Sequence, residues 1–256
     1  MGTIALSIEE LIYSFYSEGL FEQGNGLKQV YLEGVTEDQM DLLLRSSCRS
    51  MLAKDYLRFE NHKFTLRPDV SEIIAALNHS ERSVKASRHG AGGEEALSFH
   101  LTEHGTFRHT LEYDGQVHVF EKVEASEISR SIGSHFDIPE ERTETPRTIR
   151  MPQAEFEQML DAIEGGEETW GGYVDAGPAE RMPFLHTMRQ ANGLLNTLAV
   201  MSFNDRGEPE VVDVLLFPHD VQDAYLIAKT GETFLITDCD GKLLRDRLLL
   251  NLGVGS

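Results

Sequence analysis

Apolar positions in the first 80 residues recur at helical spacing. Leu6, Leu11, Ile12, Phe15 and Tyr16 fall on one face. Ser7 stands three residues ahead of Glu10 in the pattern of a capping box, so a helix is predicted from Ser7 to a stop at Gly19. A second helix opens near Thr36, led by Glu37, Asp38 and Gln39. Met40, Leu43, Leu44, Ser47 and Cys48 form its buried stripe, which reaches Leu52. Residues 54–67 place Tyr56, Leu57, Phe59, Phe64 and Leu66 around the turn Glu60-Asn61-His62-Lys63, a small hairpin. Two helices followed by a hairpin have the order of a winged helix. Pro68 and Asp69 then open a short helix through Ile73, Ile74 and Leu77.

From residue 84 to residue 122 the period changes to two. Leu97, Phe99 and Leu101 alternate with polar residues, as do Phe107, His109, Leu111 and Tyr113, and Val117 and Val119 follow. Turns are predicted at His104-Gly105 and Asp114-Gly115. Residues 125–136 read as a helix with Ile128, Ile132 and Phe136 on one side. Pro139, Pro146 and several charges mark the clearest linker. The pattern therefore divides the chain into 1–137, a linker at 138–151, and 152–256. After Pro152 a helix carries Phe156, Met159, Leu160 and Ile163. Residues 165–178 read as a Gly- and Glu-rich loop holding the single tryptophan, Trp170, and Tyr173. Residues 183–192 predict a helix, 194–203, 210–217, 224–229 and 233–238 strands, and 243–252 a closing helix. The fold class is α+β: a winged-helix-like start, then two units of antiparallel sheet plus helix. Residues 107–136 and 223–252 align without gaps on Gly115 and Gly231 with matching apolar positions, which raises the possibility of a pseudo-twofold internal repeat.

Composition narrows the function classes. Among 256 residues, 23 Lys and Arg face 43 Asp and Glu, a net charge of −20. Such a chain is repelled by nucleic-acid backbones and anionic membranes, so neither is the expected partner. No apolar run approaches the roughly 18 residues of a membrane span. The start, Met1-Gly2-Thr3-Ile4-Ala5-Leu6, has no basic residues and no long apolar stretch of a signal peptide. Cys48 and Cys239 are read as reduced thiols of a cytoplasmic protein.

Candidate chemistry is sparse. His100, His109 and His118 sit nine residues apart on successive strands. Two-residue turns would turn all three to one side, where they could ligate zinc. The apolar pattern favours three-residue turns, which put His109 inward with Phe107 and Leu111 and leave His100 and His118 outward. No metal site and no cofactor are expected. Gly90-Ala91-Gly92-Gly93 lacks the following Lys and Ser or Thr of a phosphate loop. No catalytic motif is present, so no enzyme is expected. The helix at 36–52 and the hairpin after it carry Arg45, Arg49, Lys54, Arg58 and Lys63, a modest basic edge. The second reading is accordingly a winged-helix regulator or adaptor that binds DNA or a ligand. Trp170 and Tyr173 are the candidate partner-binding residues, as aromatics in a glycine-rich loop. On that placement, replacing Trp170 by Ala weakens partner binding and leaves the fold intact.

The order of elements resembles one known family. The helix at 6–20, the helix after Thr36 and the hairpin to Leu66 are similar to the opening of the EspG-type chaperones of type VII secretion and their Gram-positive relatives. The strands 97–119 with the helix 125–136 resemble that family's first sheet and helix. Thr148-Ile149-Arg150-Met151-Pro152 looks like its midpoint. Ala224-Tyr225-Leu226-Ile227, the strand 233–238 and the helix 243–252 look like its end. The resemblance spans nearly the whole chain and rests on element order and apolar spacing. It implies an α+β, non-enzymatic cytoplasmic chaperone with a helical secreted partner, WXG/LXG- or PE-PPE-like. A charge of −20 would keep such a complex soluble.

Overall fold

The computed structural model describes residues 2–90, 93–142, 145–175, 178–204, 208–218 and 223–253. In chain order the elements are β1 (Ile4–Ser7), α1 (Ile8–Ser17), α2 (Phe21–Tyr31), α3 (Glu37–Ala53), β2 (Leu57–Glu60), β3 (Lys63–Leu66), α4 (Pro68–Asn78) and β4 (Arg82–Gly90). Next come β5 (Gly93–Thr102), β6 (Gly105–Glu112), β7 (Val117–Val123), α5 (Glu127–His135), β8 (Thr148–Pro152), α6 (Gln153–Glu164) and α7 (Glu167–Asp175). A short 3-10 turn, Ala179–Arg181, precedes α8 (Met182–Gln190). The chain then runs through β9 (Leu195–Phe203), β10 (Pro209–Pro218), β11 (Tyr225–Thr230), β12 (Thr233–Asp238) and α9 (Gly241–Leu252). The fold is α+β. Ala91 and Gly92 of the glycine run lie outside the described residues.

Two compact units divide the chain. The first comprises Met1–Ser83, Ser98–Ala125 and Phe203–Pro209; the second comprises Val84–Leu97, Ser126–Ser202 and Glu210–Ser256.

In the first unit, local signals fix the helix starts. Ser7 accepts from the Glu10 N–H while the Glu10 carboxylate accepts from the Ser7 N–H, at 2.9 Å. Thr36 and Gln39 close the same box on α3. Two elements were not legible. β1 is four residues long and owes its conformation to pairing with β7, Ile4 opposite Phe120 and Leu6 opposite His118. α2 contains Gly24 and Gly26, both poor helix formers. Gly24 is needed there, because a Cβ would lie 2.5 Å from the Tyr16 ring. The strands run β1-β7-β6-β5. One face of them buries Ile4, Leu6, Phe107 and Phe120 against Leu11 and Phe15 of α1 and Val70, Ile73 and Ile74 of α4.

In the second unit the strand order is β4-β9-β10-β11-β12-β8. Ile227 stands opposite Ile236, which stands opposite Ile149. With Tyr225, Phe234 and Met151 they form a core under Phe156 and Met159 of α6 and Phe184, Leu185 and Met188 of α8. α5 and α9 pack side by side through Ile128, Ile132, Leu244, Leu248 and Leu252, all buried. The residues aligned as a repeat do form two hairpins, each followed by a helix, but the turns differ. Glu112 pairs with Val117 across four residues, whereas Thr230 pairs with Thr233 across two.

Candidate functional site

Residues 167–175 form a helix, α7, where the composition predicted a loop. Gly171 and Gly172 sit inside it with open space where a Cβ would be. The helix is held by its aromatic residues. Trp170 is only 7% exposed and belongs to the core of the second unit with Phe156, Met159 and Phe184. Its ring stacks on Tyr173 at 6.0 Å, and the Arg189 guanidinium lies over it at 5.9 Å. The Tyr173 hydroxyl donates to the Glu155 carbonyl at 3.3 Å, and burial raises its pKa. Arg181 ties the start of α8 to Glu155 by an ion pair and donates to the Arg150 carbonyl at 3.1 Å. Trp170 and Tyr173 are thus brought together, with Trp170 facing its own core.

The histidine register differs from the one the apolar pattern favoured. His109 stands opposite Phe120 and Leu111 opposite His118, so His109 and His118 share the face of Phe107 and Phe120. β7 buries His118 and Phe120 rather than Val117 and Val119. The four-residue turn keeps the register a two-residue turn would give. His100 joins the ladder, its ring 5.8 Å from that of His109. His109 Nε2 and His118 Nδ1 are 2.9 Å apart, a hydrogen bond between the two rings. Ser80 Oγ lies 3.3 Å from His100 Nδ1, and Tyr31 meets His118 edge-on at 6.3 Å. Burial lowers all three, His100 and His118 to about 4 and His109 to about 3. The rings form a line, not a convergent set. Among the described residues no group of three or more His, Cys, Asp or Glu is placed to hold a metal ion.

The thiols are not paired with each other. Cys48 is half-buried and Cys239 fully buried, and burial pushes the Cys239 thiol up to about 12, far from a reactive thiolate.

An open apolar strip lies on β10. Asp213 accepts from Arg247 and Asn251 of α9 at 3.1 and 2.7 Å, so α9 covers the face that also buries Leu215 and Phe217. The opposite face carries Leu216, packed in the core that includes Trp170, then Val214 and Val212, which are 38% and 42% exposed. On neighbouring β9, Leu195 reaches the same core, and Ala199 and Met201 of the same parity are half-buried. The helices α6 to α8 therefore cover one end of this face and leave the valine end open. Sequence reasoning missed the strip because Val211-Val212-Asp213-Val214-Leu215-Leu216-Phe217 is apolar on both parities. Such a run reads as a strand covered on both faces.

These features can now be set beside known proteins. The family model described as Uncharacterised protein YfjC matches residues 3–248. The chain belongs to the YfjC family. A YfjC relative, the Uncharacterized protein YfjC of Bacillus subtilis strain 168, is 30% identical over 241 residues, covering 93% of this chain and 91% of that protein. Among solved structures, the type VII secretion system chaperone EspG5 of Mycobacterium tuberculosis, in complex with a PE25–PPE41 dimer, superimposes with a TM-score of 0.65. The match covers 96% of this chain and 94% of EspG5 at 10% identity. This YfjC-family chain thus has the EspG-like fold, as its element order led us to expect. Among its described residues no helix is long and apolar enough to cross a membrane.

Proposed function

We propose that this protein is a non-enzymatic cytoplasmic chaperone that binds a helical secreted partner of the WXG/LXG or PE-PPE kind, with the open face of β10 as the docking surface. The observation that carries the reading is the exposed pair Val212 and Val214 on one face of β10, which lies between β9 and β11, with Val212 just past the end of β11. An inner strand normally buries such a face. A row of half-exposed valines suits the apolar side of a partner helix. The EspG-like fold supports the reading, because the EspG5 chaperone is recorded with a two-protein partner. Trp170 and Tyr173 enter it through α7, which packs on the same side of the strands and turns Glu168 and Gly172 outward.

Co-expression tests this directly. The chain is produced together with each small helical protein encoded beside its gene. A soluble one-to-one complex, with the helical protein aggregating when made alone, is the expected result. Helical neighbours that stay soluble and unbound overturn the proposal.

A further inference from the structure

The hairpin β2–β3 stands apart from the other strands as a two-stranded sheet of its own. Its base is buried: Leu57 faces Leu66, at 2% and 7% exposure, and both belong to the core of the first unit. One step outward on the same face, Phe59 pairs with Phe64, the rings 4.7 Å apart. These two rings are 56% and 46% exposed. Asn61 and His62 turn the chain with positive φ at both positions, which makes the tip a tight two-residue turn.

Charge is segregated around this tip. Residues 42–67 hold six Lys and Arg against two Asp and Glu, on a chain whose total is −20. Half of these cations are used internally: Arg45 pairs with Asp41, Lys54 with Glu10 and Arg67 with Asp69. Arg49, Arg58 and Lys63 are exposed, and none has an ion pair among the described residues. Glu60 pairs with Lys63 in the strand register, and among the described residues no ion pair joins their side chains. Arg58 and Lys63 lie on the reverse face of the hairpin from the phenyl rings. The ribbon has one backbone layer and an open long edge, so an extended occupant lying along that edge can contact side chains of both faces.

We propose that the β2–β3 tip is a second docking site, independent of β10, for a short acidic peptide segment with apolar side chains. The rings supply apolar contact on one face, and Arg58 and Lys63 on the reverse face take carboxylates. A nucleic acid suits the site less well. Duplex DNA carries a charge every ~1.7 Å and extends far beyond the two cations of the hairpin. It would also be repelled by the −20 charge of the chain.

The test pans a random dodecapeptide display library on the full-length protein, with counter-selection on Phe59→Ser/Phe64→Ser. The expected peptides combine Asp or Glu with Leu, Ile or Phe. Their synthetic forms bind in fluorescence anisotropy, weaken about tenfold or more in the Ser variant and severalfold in Arg58→Glu/Lys63→Glu or raised salt. The Glu variant changes only exposed cations, so it decides the matter should the Ser variant lose its fold. Three results overturn the proposal. One is a library yielding no peptide that depends on these residues. Another is selected peptides without acidic excess. The third is a tip that retains a DNA duplex, or a second copy of the chain, in place of acidic peptides.

Discussion

Glu10 shows how much one side chain can hold in place. Its carboxylate is buried, accepts from the Ser7 N–H at 2.9 Å and from Ser50 at 2.6 Å, and pairs with Lys54 at 2.7 Å. Three contacts from α1 to β1, α3 and the turn after α3 meet on two oxygens. Glu10→Ala is expected to cost about 2–3 kcal/mol in urea unfolding, because buried bonds to a charged group are the stronger kind. Trp170→Ala is expected to cost about 3–5 kcal/mol, the range for emptying a core aromatic site. A loss under about 1 kcal/mol would mean that the ring does not pack as described. This differs from the intact fold that a loop position implied, since a buried ring cannot be removed without leaving a cavity. The histidine ladder gives a third test. A histidine whose folded pKa is depressed stabilises the fold fully above its unfolded value near 6.5 and ceases to do so as pH falls toward the folded value. Between pH 6.5 and 4 the unfolded chain binds more protons, so stability rises with pH, by up to about 4 kcal/mol per pH unit for three such groups. His109→Phe removes one of them. Its stability relative to wild type should improve steadily from pH 7 to pH 5 in thermal melts, and a pH-independent difference would contradict the burial of His109.

At the scale of elements, α7 carries its own prediction. Gly171 and Gly172 have ordinary backbone angles and open space around them. Gly172→Ala should therefore raise stability by about 0.5–1 kcal/mol, read as a higher Tm. A fall would show that the helix is not the resting conformation. The two glycines are also why composition argued for a loop there, and tertiary burial of Trp170 overrides that local preference. The same conflict explains α2, where Gly24 fits against Tyr16 at the expense of helix propensity. Most other elements were legible, because the capping boxes at Ser7 and Thr36, the turn at Asn61-His62 and the leucine spacing of α9 are local signals. The face of β7 was not. Val117 and Val119 compete with His118 and Phe120 for the core, and pairing with Ile4 and Leu6 decides it. Sequence alone does not contain β1 as a strand, so it could not contain that choice. The β10 strip was hidden for a related reason: two apolar parities look alike until the helices cover one of them.

The molecule as a whole combines an EspG-like α+β fold, membership of the YfjC family and a strongly acidic net charge of −20. The central claim is that the valine face of β10 holds a helical partner. Capture of the tagged protein from its own cells tests it most directly when wild type and Val212→Asp/Val214→Asp are processed side by side and the retained proteins are measured by mass spectrometry. Both positions are already part-exposed, so the variant should keep the wild-type circular dichroism spectrum. The account predicts a small helical protein in stoichiometric amount with wild type and its loss, about tenfold or more, with the variant. A wild-type capture without such a protein, or one retained equally by the variant, would contradict it.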